Sequence, residues 1–191
     1  MKKKIFITLF VIYVGQFLSS CCRDSENYEV TFADLNVTNL KITDNSLFPL
    51  PNGDKVDKSK FALSIVIQED YKQIASNFTD FSAFGFQKSY AAITCPEDNF
   101  VYIEKVTAIT IYQIDANNSK IDVTNNFKVN DFNNQFITIS DFVEQIEFSQ
   151  NSFELFLKDE TNIESNVQFE VVVESSTNQT LSFTTEEVQF N

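Results

Sequence analysis

The sequence predicts an all-β fold: a two-layer antiparallel β-sandwich of the Ig-like kind with at most one or two short helices, and a β-barrel as the alternative architecture. Two observations support this prediction. Apolar and polar residues alternate in several separate runs, which is the period of half-buried strands. Segments with helical spacing are few and short. The 18 phenylalanines that follow residue 20 supply large side chains for a core between the two layers.

The clearest strands lie in the middle and near the end of the chain. Residues 61–68 place Phe, Leu, Ile and Ile on one face, and residues 167–174 place Val, Phe, Val and Val on one face. A turn at 175–178 predicts a hairpin whose second strand covers 180–185. A β-rich stretch at 100–114 forms one long strand or two bent ones. Shorter strands are predicted over residues 37–43, 136–139 and 152–158.

Helices and loops are predicted at three places. The spacing of apolar residues over 71–81 fits a helix, although Thr and Asn interrupt it. Asp141 and Glu144 have the form of a capping box, which predicts a short helix reaching Phe148. Residues 50–60 are predicted to form a polar loop that contains an Asn-Gly-Asp turn.

The amino terminus predicts an export signal. Three lysines at 2–4 precede an apolar run over 5–15, which is too short to cross a bilayer because a transmembrane helix needs about 20 residues. Residues 1–20 are therefore predicted to be a lipoprotein signal peptide, residues 21–27 a lipidated tether and residues 28–191 a single β-rich domain.

The four residues Leu18-Ser19-Ser20-Cys21 resemble the bacterial lipobox. The resemblance implies cleavage before Cys21 and a diacylglyceryl group on its sulfur, so that the membrane is a partner through this lipid. A further acyl chain makes such an anchor stable. The predicted location is the outer membrane, with the domain facing the periplasm or the cell surface. An ordinary signal peptide with a chance cysteine is the alternative.

Charge limits the partners of the mature chain. Cleavage removes three lysines and no acid, so 11 basic and 27 acidic residues remain, a net charge of −16. Nucleic-acid binding requires clustered lysines and arginines. The chain has one arginine, Arg23, and no such cluster, so the sequence excludes nucleic acid as a partner.

The remaining cysteines are Cys22 and Cys95, which are a candidate disulfide because exported compartments permit disulfides. Such a bridge would tie the start of the tether to the domain. Two unpaired thiols are the alternative, with Cys95 buried as a small apolar residue.

The residue inventory predicts no catalytic residues and no cofactor, and therefore a protein that is not an enzyme. The chain has no histidine, which removes histidine-based triads, histidine general bases and histidine zinc sites. Only Gly53 and Gly85 follow the signal, and two separate glycines do not make a glycine-rich phosphate loop.

The segment 115–122 faintly resembles a calcium loop, because oxygen-bearing side chains occupy alternate positions. It carries Lys120 where such a loop has glycine, and Asn126 stands where the loop has its final acid. A hairpin turn rich in Asn and Asp is the favoured interpretation, so no metal site is predicted.

Five segments carry a family resemblance: the lipobox with its double cysteine, and residues 89–96, 109–111, 123–127 and 168–171. Together they resemble an uncharacterised envelope lipoprotein family of Bacteroidetes. The resemblance covers most of the mature chain, and it implies a β-rich envelope lipoprotein with no catalytic residues. This chain departs from the family pattern because it lacks glycine at its turns.

The predicted function is a non-enzymatic binding or accessory module that contacts a protein or glycan partner. The alternative is a structural or adhesive envelope component that acts by assembly, for instance by strand addition. A concave apolar pocket favours the first, and a long unprotected edge strand favours the second. The cluster Phe78, Phe81, Phe84 and Phe86 is interpreted as core, with an exposed partner patch as its alternative.

Overall fold

The computed structural model describes residues 26–74, 98–115, 118–130, 135–146 and 150–191. The chain forms two compact units. Residues 1–29 and 71–101 make the first unit, and residues 30–70 and 102–191 make the second. Within the described ranges, no helix is both long enough and apolar enough to cross a membrane.

Strands dominate the described part of the chain. They are β1 (Asn27–Thr43), β2 (Ser46–Pro49), β3 (Lys55–Val56), β4 (Phe61–Ile74), β5 (Asn99–Tyr102), β6 (Val106–Ile114), β7 (Lys120–Asp122), β8 (Phe127–Asn130), β9 (Phe136–Ile137), β10 (Ser152–Leu157), β11 (Asn166–Ser175), β12 (Thr180–Thr184) and β13 (Val188–Phe190). The same ranges contain a single α-helix, α1 (Ile139–Gln145), and 3₁₀ turns at Lys58–Lys60 and Thr124–Asn126.

The second unit is a two-layer β-sandwich. One sheet has the strand order β2-β1-β4-β10-β8-β9, and the other has the order β3-β13-β11-β6-β7, with β12 also paired to β11. The strand pairs whose register is described are antiparallel apart from β3 with β13, which run parallel. Neither sheet closes on itself among the described strands, so the structure confirms the predicted sandwich and not the barrel alternative.

In the first unit, the described residues form a short strand pair. Strand β5 pairs with β1, and the Asn99 amide donates to the Glu26 carbonyl oxygen at 2.8 Å. The Tyr28 and Phe100 rings stack with 5.6 Å between their centroids, and Tyr71 packs edge-on against Phe100 at 5.7 Å.

Phenylalanine rings join the two sheets of the sandwich. Phe61 of β4 stacks on Phe169 of β11 with 5.4 Å between ring centroids, and Phe127 of β8 meets Phe169 edge-on at 5.5 Å. Phe190 of β13 packs edge-on against Phe61 at 5.3 Å. All four side chains are buried. Such pairs contribute about 0.5–1.5 kcal/mol beyond the burial of their area.

The strongest alternation predictions are confirmed. The apolar residues at 61, 63, 65 and 67 are buried along β4, and those at 167, 169, 171 and 173 are buried along β11. β11 and β12 form the predicted hairpin, in which Glu174 pairs with Thr180. The stretch 100–114 contains two strands, β5 and β6, separated by residues 103–105.

Two predictions are wrong in part. Tyr71–Ile74 continue strand β4, and the rest of the predicted helix over 71–81 lies outside the described residues. The helical spacing of Tyr71 and Ile74 is a weak signal, because starting a helix is unfavourable. Continuing strand β4 through these residues requires no new nucleus. The polar loop 50–60 contains β3, whose Val56 is buried where the strand pairs with β13.

The observed cap of helix α1 lies three residues before the predicted cap, Asp141. Thr138 is the cap: its backbone is extended, and its Oγ1 accepts a hydrogen bond from the Asp141 amide at 3.1 Å. Asp141 therefore lies in the first turn instead of preceding it. The helix ends at Gln145, before the predicted Phe148, which lies outside the described residues. Phe142 anchors the helix on Phe153 of β10, with 5.0 Å between ring centroids.

Candidate functional site

A cleft of about 480 Å³ lies in the second unit, where β6, the turn before β8 and α1 meet. Its floor is apolar and consists of Ile109, Phe127, Ile139 and Val143, all of which are buried in the core. The helix contributes two of these side chains because Ile139 and Val143 lie four residues apart, on one helical face. The same helical face that stabilises the sandwich therefore forms the floor of the cleft.

The rim of the cleft carries four polar side chains: Asn125, Lys128, Ser140 and Glu144. Asn125, Ser140 and Glu144 are exposed, and Lys128 is half-buried. Within the part of the chain that the structure describes, these side chains make no hydrogen bond or ion pair. They offer an amide, an ammonium group, a hydroxyl and a carboxylate to a ligand.

Other hydroxyls of the lining are already bonded, and they fix the walls. Thr107 Oγ1 donates to the Glu174 carbonyl oxygen at 3.1 Å, and Thr138 Oγ1 caps the helix. Thr124 Oγ1 accepts a hydrogen bond from the Ile111 amide at 2.9 Å.

The turn that carries Asn125 is held on both sides. Next to it, Asn126 Nδ2 donates to the carbonyl oxygens of Asp159 and Thr161, at 2.8 Å each. Thr124, on the other side, is bonded to β6 through the Ile111 amide. These contacts fix this wall of the cleft in the absence of a ligand.

The lining of the cleft contains one carboxylate, Glu144, and one ammonium group, Lys128. Among the described residues, no group of three metal-ligating side chains comes together. An apolar floor with a few convergent polar groups is the general form of a binding site.

The segment resembling a calcium loop forms a hairpin, as predicted. β6 and β7 pair in antiparallel fashion with Ile114 opposite Lys120. Asp115 Oδ1 accepts a hydrogen bond from the Ser119 amide at 2.8 Å, and Asn118 adopts a left-handed backbone with φ of 60°. The Asp115 carboxylate thus stabilises the turn.

A second polar cluster surrounds the buried Glu104, which the sequence did not single out. Its Oε2 accepts a hydrogen bond from the Phe32 amide, and its Oε1 accepts one from Thr177 Oγ1, each at 2.6 Å. Gln179 Nε2 donates to the Phe32 carbonyl oxygen at 3.1 Å. The carboxylate thus ties β1 to the β11–β12 turn, and both of its oxygens are occupied.

The predicted modification sites lie outside the described residues. Cys21, Cys22 and Cys95 are all in this group, and so is the phenylalanine cluster over 78–86. The lipid anchor on Cys21 and the candidate Cys22–Cys95 disulfide therefore stay predictions.

Sequence analysis did not predict the cleft. Its lining comes from three segments, 107–109, 124–128 and 138–144, which the fold brings together. In the sequence, Glu144 belongs to the predicted capping box, and Lys128 belongs to no motif. The one available signal was the polar Thr-Asn-Asn turn at 124–126, which lies between two predicted strands.

Comparison with known proteins gives no further identification: no protein-family model, no curated protein and no solved structure matches this chain. The β-sandwich and its cleft are therefore the basis for inferring a function.

Proposed function

We propose that this chain is a lipid-anchored envelope module without enzymatic activity, and that it binds a partner in the cleft between β6, β8 and α1. The observation that carries the proposal is the cleft itself, in which an apolar floor lies beside four polar side chains that no described residue engages. Burial of the floor supplies affinity, and the rim groups give orientation and specificity.

The membrane anchor in this proposal depends on the lipobox-like Leu18–Cys21. The net charge of −16 after cleavage supports a domain that stays in solution above an anionic lipid surface. The proposed family, the Bacteroidetes envelope lipoproteins, has the same arrangement of anchor and β-rich domain.

A structural or adhesive component that assembles through the outer edges of the sheets is the second candidate function, and the lengths of those edge strands argue against it. The outer strands β2, β3, β7, β9 and β12 have two to five residues each, and short edge strands protect a sheet from pairing with other chains. Leu47 and Phe48 of β2 are nevertheless exposed, at 36% and 48%, so β2 is the edge at which assembly would begin.

Photo-crosslinking in intact cells tests the proposal. A photoreactive phenylalanine analogue replaces Asn125 at the rim of the cleft, and a matched variant carries it at Gln68, which is exposed on β4 away from the cleft. We expect a discrete adduct from position 125 and none from position 68.

A third crosslinking position tests the competing function, assembly through the β2 edge. The same analogue at Phe48 reports on the β2 edge. An adduct from position 48 and none from position 125 would contradict binding in the cleft and would favour assembly. Denaturant unfolding of each variant confirms that the sandwich has remained intact.

A further inference from the structure

We propose that the ligand of the cleft is an extended, basic peptide segment of a partner protein, and that it pairs with the main chain of Ile109 as an added β-strand. This inference rests on the proposed function and specifies the ligand class of the same cleft. Peptides that extend an open sheet edge gain affinity from main-chain hydrogen bonds and specificity from side-chain pockets.

The open edge lies on β6, beyond the end of β7. β7 pairs with β6 only at Tyr112, Gln113 and Ile114. One step further along β6, the Ile111 amide donates to Thr124 Oγ1 at 2.9 Å, and the Ile111 carbonyl oxygen accepts from the Val123 amide at 2.9 Å. Both backbone groups of Ile111 therefore point away from β11.

The same orientation applies to Ile109. Along an antiparallel strand, the backbone groups of alternate residues point to the same side. The pairing of β6 with β11 is regular from Ile114 to Ala108 and becomes irregular only beyond it. The N–H and C=O of Ile109 therefore point away from β11, and neither has a hydrogen-bond partner among the residues that the structure describes.

The space beside this edge is the cleft, because residues 107–109 form one of its walls. The N–H and C=O of Ile109 can pair with the C=O and N–H of one residue in a neighbouring antiparallel strand. Ile109 is buried, so its unpaired N–H and C=O carry a free-energy cost. Hydrogen bonds to a ligand would remove this cost.

The lining favours a peptide over a glycan. Phe127 is the one aromatic side chain of the lining, and it is fully buried, so the cleft has no exposed ring on which a sugar would stack. The floor accepts an apolar side chain, and Lys128 and Glu144 of the rim offer one charge of each sign to its neighbours. The acidic chain attracts basic partners, which favours lysine or arginine beside the central apolar residue.

A titration with synthetic peptides tests the inference. The probe is a seven-residue peptide library with a fixed central valine or leucine and lysine or threonine at the flanking positions. Binding to the ¹⁵N-labelled mature chain, residues 21–191, is followed by NMR at about 1 mM peptide, a concentration that half-saturates a site with a Kd of about 1 mM. We expect the Ile109 amide resonance to move with the peptide concentration.

Methylation of the peptide backbone distinguishes main-chain hydrogen bonding to Ile109 from simple burial of the peptide's side chain. Methylation of the central peptide nitrogen removes the donor to the Ile109 carbonyl oxygen, and we expect at least a tenfold loss of affinity. Methylation of the next nitrogen, which faces away from β6 in an added strand, leaves the affinity within about twofold. A steric block at the rim, Ser140→Trp, also abolishes binding, and Gln145→Trp on the same helix preserves it.

Each outcome has a distinct meaning. Equal loss from both methylations, or no binding by any library member, overturns the peptide-pairing inference. If the adduct from position 125 in cells persists in that case, the proposed function stands and the ligand is of another class. If that adduct is also absent, the proposed function fails independently of the peptide result.

Discussion

Asparagine performs the turn chemistry that glycine performs in most β-proteins. Asn45, Asn118, Asn162 and Asn178 all have left-handed backbones, with φ between 60° and 63°. Asparagine adopts this region more readily than other residues with a side chain. The scarcity of glycine at the turns thus has a physical compensation.

The turn between β11 and β12 gives a direct test. Asn178 has φ of 63°, and its amide donates to the Ser175 carbonyl oxygen at 3.0 Å. We expect Asn178→Ala to lower the free energy of unfolding by about 1 kcal/mol, because alanine is strained in this region, and Asn178→Gly to change it by a few tenths. Urea denaturation measures both; equal stabilities for the two variants would contradict the explanation.

The lowered pKa of Asp57 predicts how the stability of the protein changes at acidic pH. Hydrogen bonds from Asn191 and Lys60, together with the charge of Lys60, hold the pKa of Asp57 below its usual value of 3.8. The stabilising contribution is therefore fully present above pH 3.8, and it is lost as the pH falls through the lower pKa of the folded state. We expect Asn191→Ala to move the pKa of Asp57 towards 3.8 in an NMR titration of the carboxyl carbon.

Asp159 is the internal control for this titration. Hydrogen bonds from Thr161 lower its pKa, and neither Asn191 nor Lys60 contributes to that shift. The Asn191→Ala variant should therefore leave the titration of Asp159 unchanged. An unchanged titration of Asp57 in the same variant would show that Asn191 is not its main partner.

At the scale of the elements, the long alternating strands were predictable and the short ones were not. β4 and β11 bury every second residue over four repeats, so their period is visible without a structure. β3 has two residues, and it exists only because β13 pairs with it. The start of α1 was misplaced because Thr138 and Asp141 both fit the cap, and only the tertiary position of Ile139 decides between them.

The sheet-to-sheet contact at Phe169 tests the packing of the sandwich. Phe169 of β11 is fully buried and touches the rings of Phe61 and Phe127 from the opposite sheet. We expect Phe169→Ala to cost about 3–5 kcal/mol of unfolding free energy, the usual range for a phenylalanine removed from a core. The matched control is Val172→Ala, an outward residue of the same strand that is only half-buried. Similar losses for the two variants would contradict the assignment of faces.

The cleft shows why a site of this kind escapes sequence analysis. Its charged rim residues, Lys128 and Glu144, are separated along the chain by strand β9 and most of helix α1. Lys128 stands in no motif, and the capping-box pattern that includes Glu144 predicts a helix end and not a binding site. Only the packing of α1 against β6 and β8 brings them to one opening.

At the scale of the whole molecule, the adjacent cysteines allow a controlled test of the anchor. We expect Cys21→Ala to move the protein from the membrane fraction to the soluble fraction, because the predicted lipid is attached to that sulfur. Cys22→Ala removes the neighbouring thiol and should leave the protein in the membrane fraction. Retention of the Cys21→Ala variant in the membrane would contradict lipid anchoring.

The central claim is that this β-sandwich binds its partner in the cleft between β6, β8 and α1. The most direct measurement is an NMR titration of the labelled domain with the partner that position 125 captures in cells. We predict that the shifted resonances belong to Ile109, Lys128, Ser140 and their neighbours. Shifts confined to the β2 edge around Leu47 and Phe48, with the cleft unchanged, would contradict the claim and identify a protein that assembles through that edge.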